Sequence, residues 1–400
     1  MGNDLNRQVK LAEKHFDVLI IGGGVIGASI AYHLLQDGLD GTVGIIEKDS
    51  SYEFASTPRS VGGIRQQFST EVNIKACLYS VAAFERFDEE MAVDGEPAHC
   101  EYRATGYLML GDENNWETLK RQYTLQRSLG VDVEIVTPED LLQLYPQMNV
   151  ADILGGSLGR RAGYMDAYGV MQGYLKKARS LGASYLKAEV IKVVREDHKV
   201  TIVKTTDGGT FSAGATVLCA GAWSGEIAKT MGLELPVIPS PKMAFHVDPA
   251  EKFDYDLPFI FNPDGSWFRQ ESGQQIICGR DRGDAPGFTF DWDRDYFKDD
   301  LWPRLYNRFK TFERLKLMRG WGGLYAVNTL DHNALLGAYP GMENFYVATG
   351  FSGHGLMQSP AVGKGLSELI RNSRYDTVDL SPLSVGRVFT KELVVEEAVY

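Results

Sequence analysis

Gly22, Gly24 and Gly27 stand in a GxGxxG frame, and Glu47 follows the last of them by twenty residues. Glycines and an acid at this spacing can hold a dinucleotide. The first glycine permits a tight turn, the second lets backbone approach a pyrophosphate, and the third lets a helix pack on a strand, while the acid accepts hydrogen bonds from a ribose. Val25 and Ile26 inside the frame and Lys48 beside the acid complete this set of candidate contacts. The elements that must position them are legible on either side. Residues 18–21 are an apolar run of strand type, a helical pattern follows from residue 25, and a second apolar run ends at Glu47. Residues 16–47 therefore read as strand, glycine turn, helix, strand, acid, with the helix N-terminus turning its amides and dipole toward the phosphates. Residues 16–35 are long and apolar enough to suggest a membrane span. Asp17, His33 and the glycines argue against one, because charge and glycine both weaken a lipid-facing helix.

A chain of 400 residues with 44% hydrophobic and 24% charged residues can bury a large core in two or three domain-sized units. Its formal charge of −12 excludes nucleic acid as the main partner, since phosphate binding needs clustered Lys and Arg. Cys77, Cys100, Cys219 and Cys278 are scattered without metal-like spacing, which fits buried thiols in a reducing compartment and gives neither a metal site nor a disulfide. The first fifteen residues carry charges of both signs and no apolar core, and Asn6 stands where myristoylation needs Ser or Thr. The expectation is a cytoplasmic protein that is not integral to a membrane.

Three βα-like zones occur, at residues 16–90, 168–205 and 345–370, the last being strand, glycine loop, helix, with Ser359 and Pro360 as helix cap and first helical residue. Strand and turn signals rich in Pro, Gly, Asp and aromatics fill the intervals. We expect a nucleotide-binding unit of residues 1–90, 150–230 and 320–400, interleaved with a mostly antiparallel substrate unit of residues 91–149 and 231–319. The ligand site would lie in the cleft between them.

Four ordered motifs then carry a family likeness. STPRSVGGIRQQFS at 56–69, VLCAGAWSGEIA at 217–228, WGGLYAVNTLDHNALLG at 321–337 and YVATGFSGHGLMQSPAVG at 346–363 resemble the D-amino-acid oxidase superfamily of FAD proteins. Within it, the likeness is to the branch of sarcosine oxidase beta, dye-linked proline dehydrogenase beta and FAD-dependent oxidoreductase domain-containing proteins. It covers essentially the whole chain, and it implies FAD rather than NAD. The implied fold is α/β (α+β), a Rossmann-type FAD-binding domain interleaved with a mostly antiparallel-sheet substrate domain.

The resemblance also implies site residues. Ser56, Arg59, Ser60, Gly62, Gly63 and Ile64 would lie close to the isoalloxazine, and Val190 would offer backbone to adenine. Ala220, Gly221 and Trp223 would border the diphosphate and ribityl chain. Gly323, Gly353, His354, Gly355, Leu356 and Met357 would line the flavin pocket, with the following helix directing its dipole at the pyrimidine. Arg65 matches the arginine near flavin and substrate carboxylate, Tyr325 and His354 would hydrogen-bond substrate or flavin, and Arg269 is a further candidate on a substrate-sheet strand. Trp267, Phe268, Phe288, Phe290 and Trp292 read as core or sheet surface rather than an aromatic cage.

Departures from the family pattern sharpen these expectations. Met357 stands where monomeric sarcosine oxidases carry a carboxylate-binding Lys, and Gly323 stands where they carry the Cys that attaches FAD. Residues 56–65 hold no His and residues 324–328 no Arg, so FAD would be noncovalent and Arg65 would be the remaining carboxylate anchor. No Lys lies between Lys252 and Lys298, the region aligned with the strand that places a Lys over the sarcosine oxidase flavin, which implies slow reaction of reduced flavin with oxygen.

The activity so implied is oxidation of a secondary or N-methylated amino acid of sarcosine, proline or dimethylglycine type by hydride transfer to flavin N5. The product is an imine that water hydrolyses. Electrons would leave to a quinone, a flavoprotein or oxygen, and a homo-oligomer or second subunit is compatible with the branch. A flavoprotein assembly factor for a respiratory complex and a 2-hydroxy acid dehydrogenase stay open as alternatives.

Overall fold

The first apolar run forms strand β1, Lys14–Ile21, whose last four residues are all buried. A strand covered on both faces reads as a continuous hydrophobic run rather than an alternating one. Gly22 follows with φ +108°, a left-handed conformation that costs a glycine little. The chain then enters helix α1, Val25–Gln36, with residues 25–34 buried, and returns as β2, Val43–Glu47, buried throughout. The stretch that resembled a membrane span is thus strand, turn and helix. Among the described residues, no helix is long and apolar enough to cross a membrane. The computed structural model describes residues 14–397, so the expectation drawn from the first fifteen residues falls mostly outside the described residues.

β1 and β2 belong to an eight-stranded sheet with core order Leu335–Ala338, Phe345–Thr349, Thr210–Leu218, β1, β2, Ser184–Lys187. Thr210–Leu218 pairs in parallel with β1 and with Phe345–Thr349, and β2 pairs in parallel with β1 and with Ser184–Lys187. Within the 168–205 zone the strands divide, because Val190–Glu196 leaves the parallel path and joins Lys199–Thr205 as an antiparallel flap beside Thr210–Leu218.

A second eight-stranded sheet runs Leu315–Asn328, Val237–Pro249, Ile276–Arg280, Ser266–Gln270, Phe259–Phe261, Tyr107–Gly111, Gly155–Gly159, Val133–Val136. Among the described residues its one parallel pair is Phe259–Phe261 with Tyr107–Gly111. Gly155–Gly159 and the whole of Leu315–Asn328 lie in this sheet, across the boundaries expected at 150 and 320. One face packs Phe245, Val247, Phe268 and Cys278 against Phe297, Leu301, Leu305, Phe309 and Phe312. Alternation along each strand turns the neighbouring side chains to the opposite face, toward the first sheet.

The four cysteines are buried and free. One helix boundary differs from expectation. The last long helix is Gly355–Asn372, preceded by His354, and Pro360 lies inside it. A proline there leaves the carbonyl one turn earlier without its amide donor. Ser359 Oγ donates to that carbonyl, Leu356 O, at 2.8 Å, so the helix continues and its N-terminus falls four residues before Ser359.

Candidate active site

A cavity of about 730 Å³ opens between the ends of β1, β2 and Thr210–Leu218 and the free face of the second sheet. This is the crevice outside the carboxyl ends of parallel strands where α/β folds place ligands. Gly22, Gly24, Val25, Ile26, Glu47 and Lys48 line one end. Both Glu47 oxygens are held by backbone, Oε2 accepting from Gly23 N at 2.8 Å and Oε1 from Asp49 N at 2.9 Å. Burial pushes its carboxyl upward and those two amides oppose the rise. A Cβ on Gly24 would meet nothing nearer than Thr57 Oγ1 at 3.7 Å, so the space before this residue is the cavity itself. Two helices, α1 and Gly355–Asn372, begin at the cavity wall, and their N-terminal amides suit an anionic or electron-rich ligand.

Val190, Ala220, Gly221 and Trp223 border the same end, with Lys48 Nζ 3.4 Å from the centre of a Trp223 ring. Toward the middle lie Ser56, Arg59, Ser60, Gly63 and Gly323. Ser56 Oγ donates to Leu324 O at 2.7 Å and Arg59 Nη1 to Gly322 O at 2.6 Å, which fastens this segment to the second sheet. Gly353, His354, Gly355, Leu356 and Met357 close the far end. Gly353 has φ +99°, and a Cβ there would reach 2.6 Å from the Tyr325 ring.

Three expected contacts are behind the wall. Gly27 packs α1 on the turn, where a Cβ would lie 2.0 Å from Gly22 O; Gly62 is held against Met165 O; Ile64 is fully buried core. Arg269 lies elsewhere, in a second cavity of about 550 Å³. It bonds Val61 O at 2.9 Å and Glu271 at 3.0 Å, and its guanidinium sits 4.0 Å from the centre of the Tyr164 ring.

Arg65, Tyr325 and His354 converge on the main cavity. Arg65 is 3% exposed. Its Nη1 donates to Gln67 O, its Nη2 lies 3.4 Å from His354 Nε2, and its guanidinium stacks 4.2 Å from the centre of the Phe68 ring. Burial and then the Arg65 charge push the His354 imidazole down to about 3. A guanidinium only donates, so Nε2 is the acceptor and the proton of the neutral ring resides on Nδ1. Burial raises the Tyr325 phenol, leaving it protonated at neutral pH and able to donate a hydrogen bond.

Sequence reasoning missed the other wall of this end. Tyr107, Phe259, Phe261 and Trp267 line it, Tyr107 stacking on Phe259 at 4.6 Å and on Phe261 at 5.4 Å. The five aromatics read together as core or sheet surface therefore divide: Phe268 is core, whereas Trp267 and Phe290 face the cavity. Phe288 packs on Trp223, and Trp292 on Phe245. Lys242 was also missed. It lies on Val237–Pro249 opposite Gly323 and reaches the cavity, with Nζ 2.6 Å from Asp281 and 3.0 Å from Asp284. Its signal was alternation: Phe245 and Val247 enter the core, which sends 242 and 244 to the other face.

A two-helix dinucleotide cradle joined to an aromatic, arginine-bearing chamber defines a flavoprotein oxidoreductase. Residues 17–369 match the family described as DAO, FAD dependent oxidoreductase, and the chain belongs to that family. It is 32% identical to FAD-dependent oxidoreductase domain-containing protein 1 of Bos taurus, over 99% of this chain and 90% of that protein. It is 26% identical to mitochondrial dimethylglycine dehydrogenase of Mus musculus, over 94% of this chain and 45% of that one. The crystal structure of L-proline dehydrogenase from P. horikoshii superposes with a TM-score of 0.86 at 26% identity, covering 96% of this chain and all of that one.

FAD is the cofactor of this family, and the residues fit it: the open space before Gly24, the oriented Glu47 and two helix N-termini answer its pyrophosphate, ribose and flavin ring. Cys219 and His354 are the Cys and His of the cavity wall. Cys219 Sγ lies against Gly22 O at 3.4 Å, at the dinucleotide end, and His354 Nε2 faces Arg65; Gly323 stands at the position of the sarcosine oxidase Cys, and FAD is held without a covalent bond. Acid precipitation should release the yellow colour into the supernatant. Colour retained in the washed pellet would contradict noncovalent binding.

Proposed function

We propose that this chain oxidises a secondary or N-methylated amino acid to an imine. The observation that carries the reading is the placement of a buried, permanently charged Arg65 at one side of a chamber whose other side is aromatic. Arg65 takes the substrate carboxylate, as a guanidinium fork suits. Neutral His354 accepts from Arg65 and fixes its orientation. Tyr107, Phe259, Phe261 and Trp267 receive the alkyl groups on nitrogen and exclude water from them. The Tyr325 hydroxyl donates a hydrogen bond to the bound substrate. Bound FAD supplies the hydride acceptor. Water then hydrolyses the imine. Dimethylglycine should yield one carbonyl compound and one demethylated amine for each flavin reduced under anaerobic conditions. A keto acid formed from a 2-hydroxy acid, with no amine oxidised, would replace this reading with that of a hydroxy acid dehydrogenase.

We further infer that the enzyme is a dehydrogenase. An ammonium group near flavin would stabilise superoxide as it forms. The Lys242 ammonium in this cavity is instead clamped by two carboxylates, Asp281 and Asp284, which offset its field. Stopped-flow reoxidation of the reduced enzyme should be slower with oxygen than with a quinone or a redox dye. Oxygen outrunning both acceptors would make it an oxidase.

A further inference from the structure

Lys242 brings a cation to the wall of the main cavity, and its side chain is only 18% exposed. Its Nζ stands 5.6 Å from the centre of the Tyr325 ring, so the charge faces the end of the cavity that Tyr325 lines. An ammonium group has three N–H donors. Asp281 Oδ1 takes one at 2.6 Å, Gly283 O another at 3.0 Å and Asp284 Oδ1 the third at 3.0 Å. All three acceptors belong to residues 281–284, the start of a stretch without helix or strand that runs to residue 293.

The acceptors are themselves held in place. Ser240 Oγ donates to Asp284 Oδ1 at 3.0 Å, His332 Nε2 lies 2.9 Å from Asp284 Oδ2, and Gly283 N donates to Asp281 Oδ1 at 3.2 Å. Gly287 N fastens the same stretch to the lysine's own strand, donating to Pro239 O at 2.9 Å. Burial works to lower the Lys242 ammonium, but Asp281 and Asp284 outweigh it and hold the group above the ordinary lysine value. The chamber thus contains a charged lysine whose every donor is already spent on one loop. Released from that loop, the ammonium would suit a carboxylate.

We propose that Asp281 and Asp284 determine the charge class of the substrate: by occupying Lys242 they keep the chamber selective for amino acids with one carboxylate, and Lys242 is a latent anchor for a second. The inference rests on the reading of this chamber as an amino-acid site. A dicarboxylate such as iminodiacetate brings its second carboxylate to a cation that has no donor to give, beside two anions. With the clamp removed, the same carboxylate replaces Asp281 and Asp284 as the partner of Lys242.

The test uses the FAD-loaded enzyme and two thioethers, methylthioacetate and thiodiacetate, which match sarcosine and iminodiacetate in shape. Sulfur replaces the amine, so no imine forms and the perturbed flavin spectrum reports binding alone. The half-saturating concentrations of the two give a ratio for each variant. Wild type should prefer methylthioacetate. Asp281→Asn/Asp284→Asn should shift the ratio toward thiodiacetate by about tenfold, the scale of one charged hydrogen bond gained, and adding Lys242→Met should cancel the gain. Asp284→Asn alone should give a smaller shift in the same direction, which keeps the test open if the double variant folds poorly. Asp291→Asn/Asp293→Asn takes two exposed carboxylates from the same loop and should leave the ratio where it is. A loop-fastening role alone would lower melting temperature and move both ligands equally. An unshifted ratio, a gain that survives Lys242→Met, an equal gain in the Asp291/Asp293 variant, or a wild type that already prefers thiodiacetate would overturn the clamp while leaving the amino-acid reading in place. A wild-type flavin that methylthioacetate does not perturb would overturn both.

Discussion

Arg65→Ala should raise the substrate concentration needed for flavin reduction by roughly 30-fold to 1000-fold, the equivalent of about 2 to 4 kcal/mol for loss of one charged, hydrogen-bonded contact. Arg65→Lys should fall between, because lysine keeps the charge but loses the bidentate fork. The alanine variant also removes the partner of His354 Nε2, so part of the effect will register as lower thermal stability. The lysine variant separates the two effects, since it retains a cation in the same place. Anaerobic titration of both variants, with flavin content checked beforehand, makes the comparison. Equal reduction in wild type and Arg65→Ala would remove Arg65 as the carboxylate anchor. Arg269 is no substitute, being engaged with Glu271 in the other cavity.

Gly24→Val should give a folded protein with little or no flavin. The added side chain points into the cavity, with only Thr57 Oγ1 within reach of its Cβ at 3.7 Å. It therefore occupies the pyrophosphate approach without disturbing the core. Gly27→Val is the contrast, because its Cβ would lie 2.0 Å from Gly22 O and the fold itself must give way. Glu47→Ala should be milder than Gly24→Val, weakening FAD by about 1.5 to 3 kcal/mol through loss of one charge-assisted contact. Flavin titration of the three apoproteins alongside their circular dichroism distinguishes the outcomes. Full flavin in Gly24→Val would remove the pyrophosphate from this turn.

The dinucleotide half was legible because its signals are local. A buried parallel strand, a glycine turn, an apolar helix and an acid at a strand end are each written within a few residues, and residues 14–47 adopt that order. The flavin-end residues came from motif resemblance, and Arg65, Tyr325 and His354 do meet in space. What the sequence hid depends on register and on distant pairing. Arg269 and Trp267 share a strand, yet the packing of residues 59–61 and Trp321 between the two cavities sends them to different ones. Lys242 needed the strand alternation to be followed from Phe245 backward. The start of the last helix was misplaced because Pro360 is a strong local signal, overridden by the hydroxyl of its neighbour. Glu396 carries no local signal, and only the hydrogen bonds that it accepts from Ser69 and Asn73 show it to be buried.

The central claim is that this flavoprotein takes a hydride from the carbon beside a substituted amino nitrogen. Its most direct test is anaerobic titration of the purified yellow protein with sarcosine, proline, dimethylglycine, D-alanine and 2-hydroxyglutarate, followed by the visible flavin absorbance. Bleaching by one or more of the first three, with D-alanine and 2-hydroxyglutarate ineffective, is the predicted result. A flavin that dithionite reduces but none of the three amines does, or that 2-hydroxyglutarate alone bleaches, would contradict it.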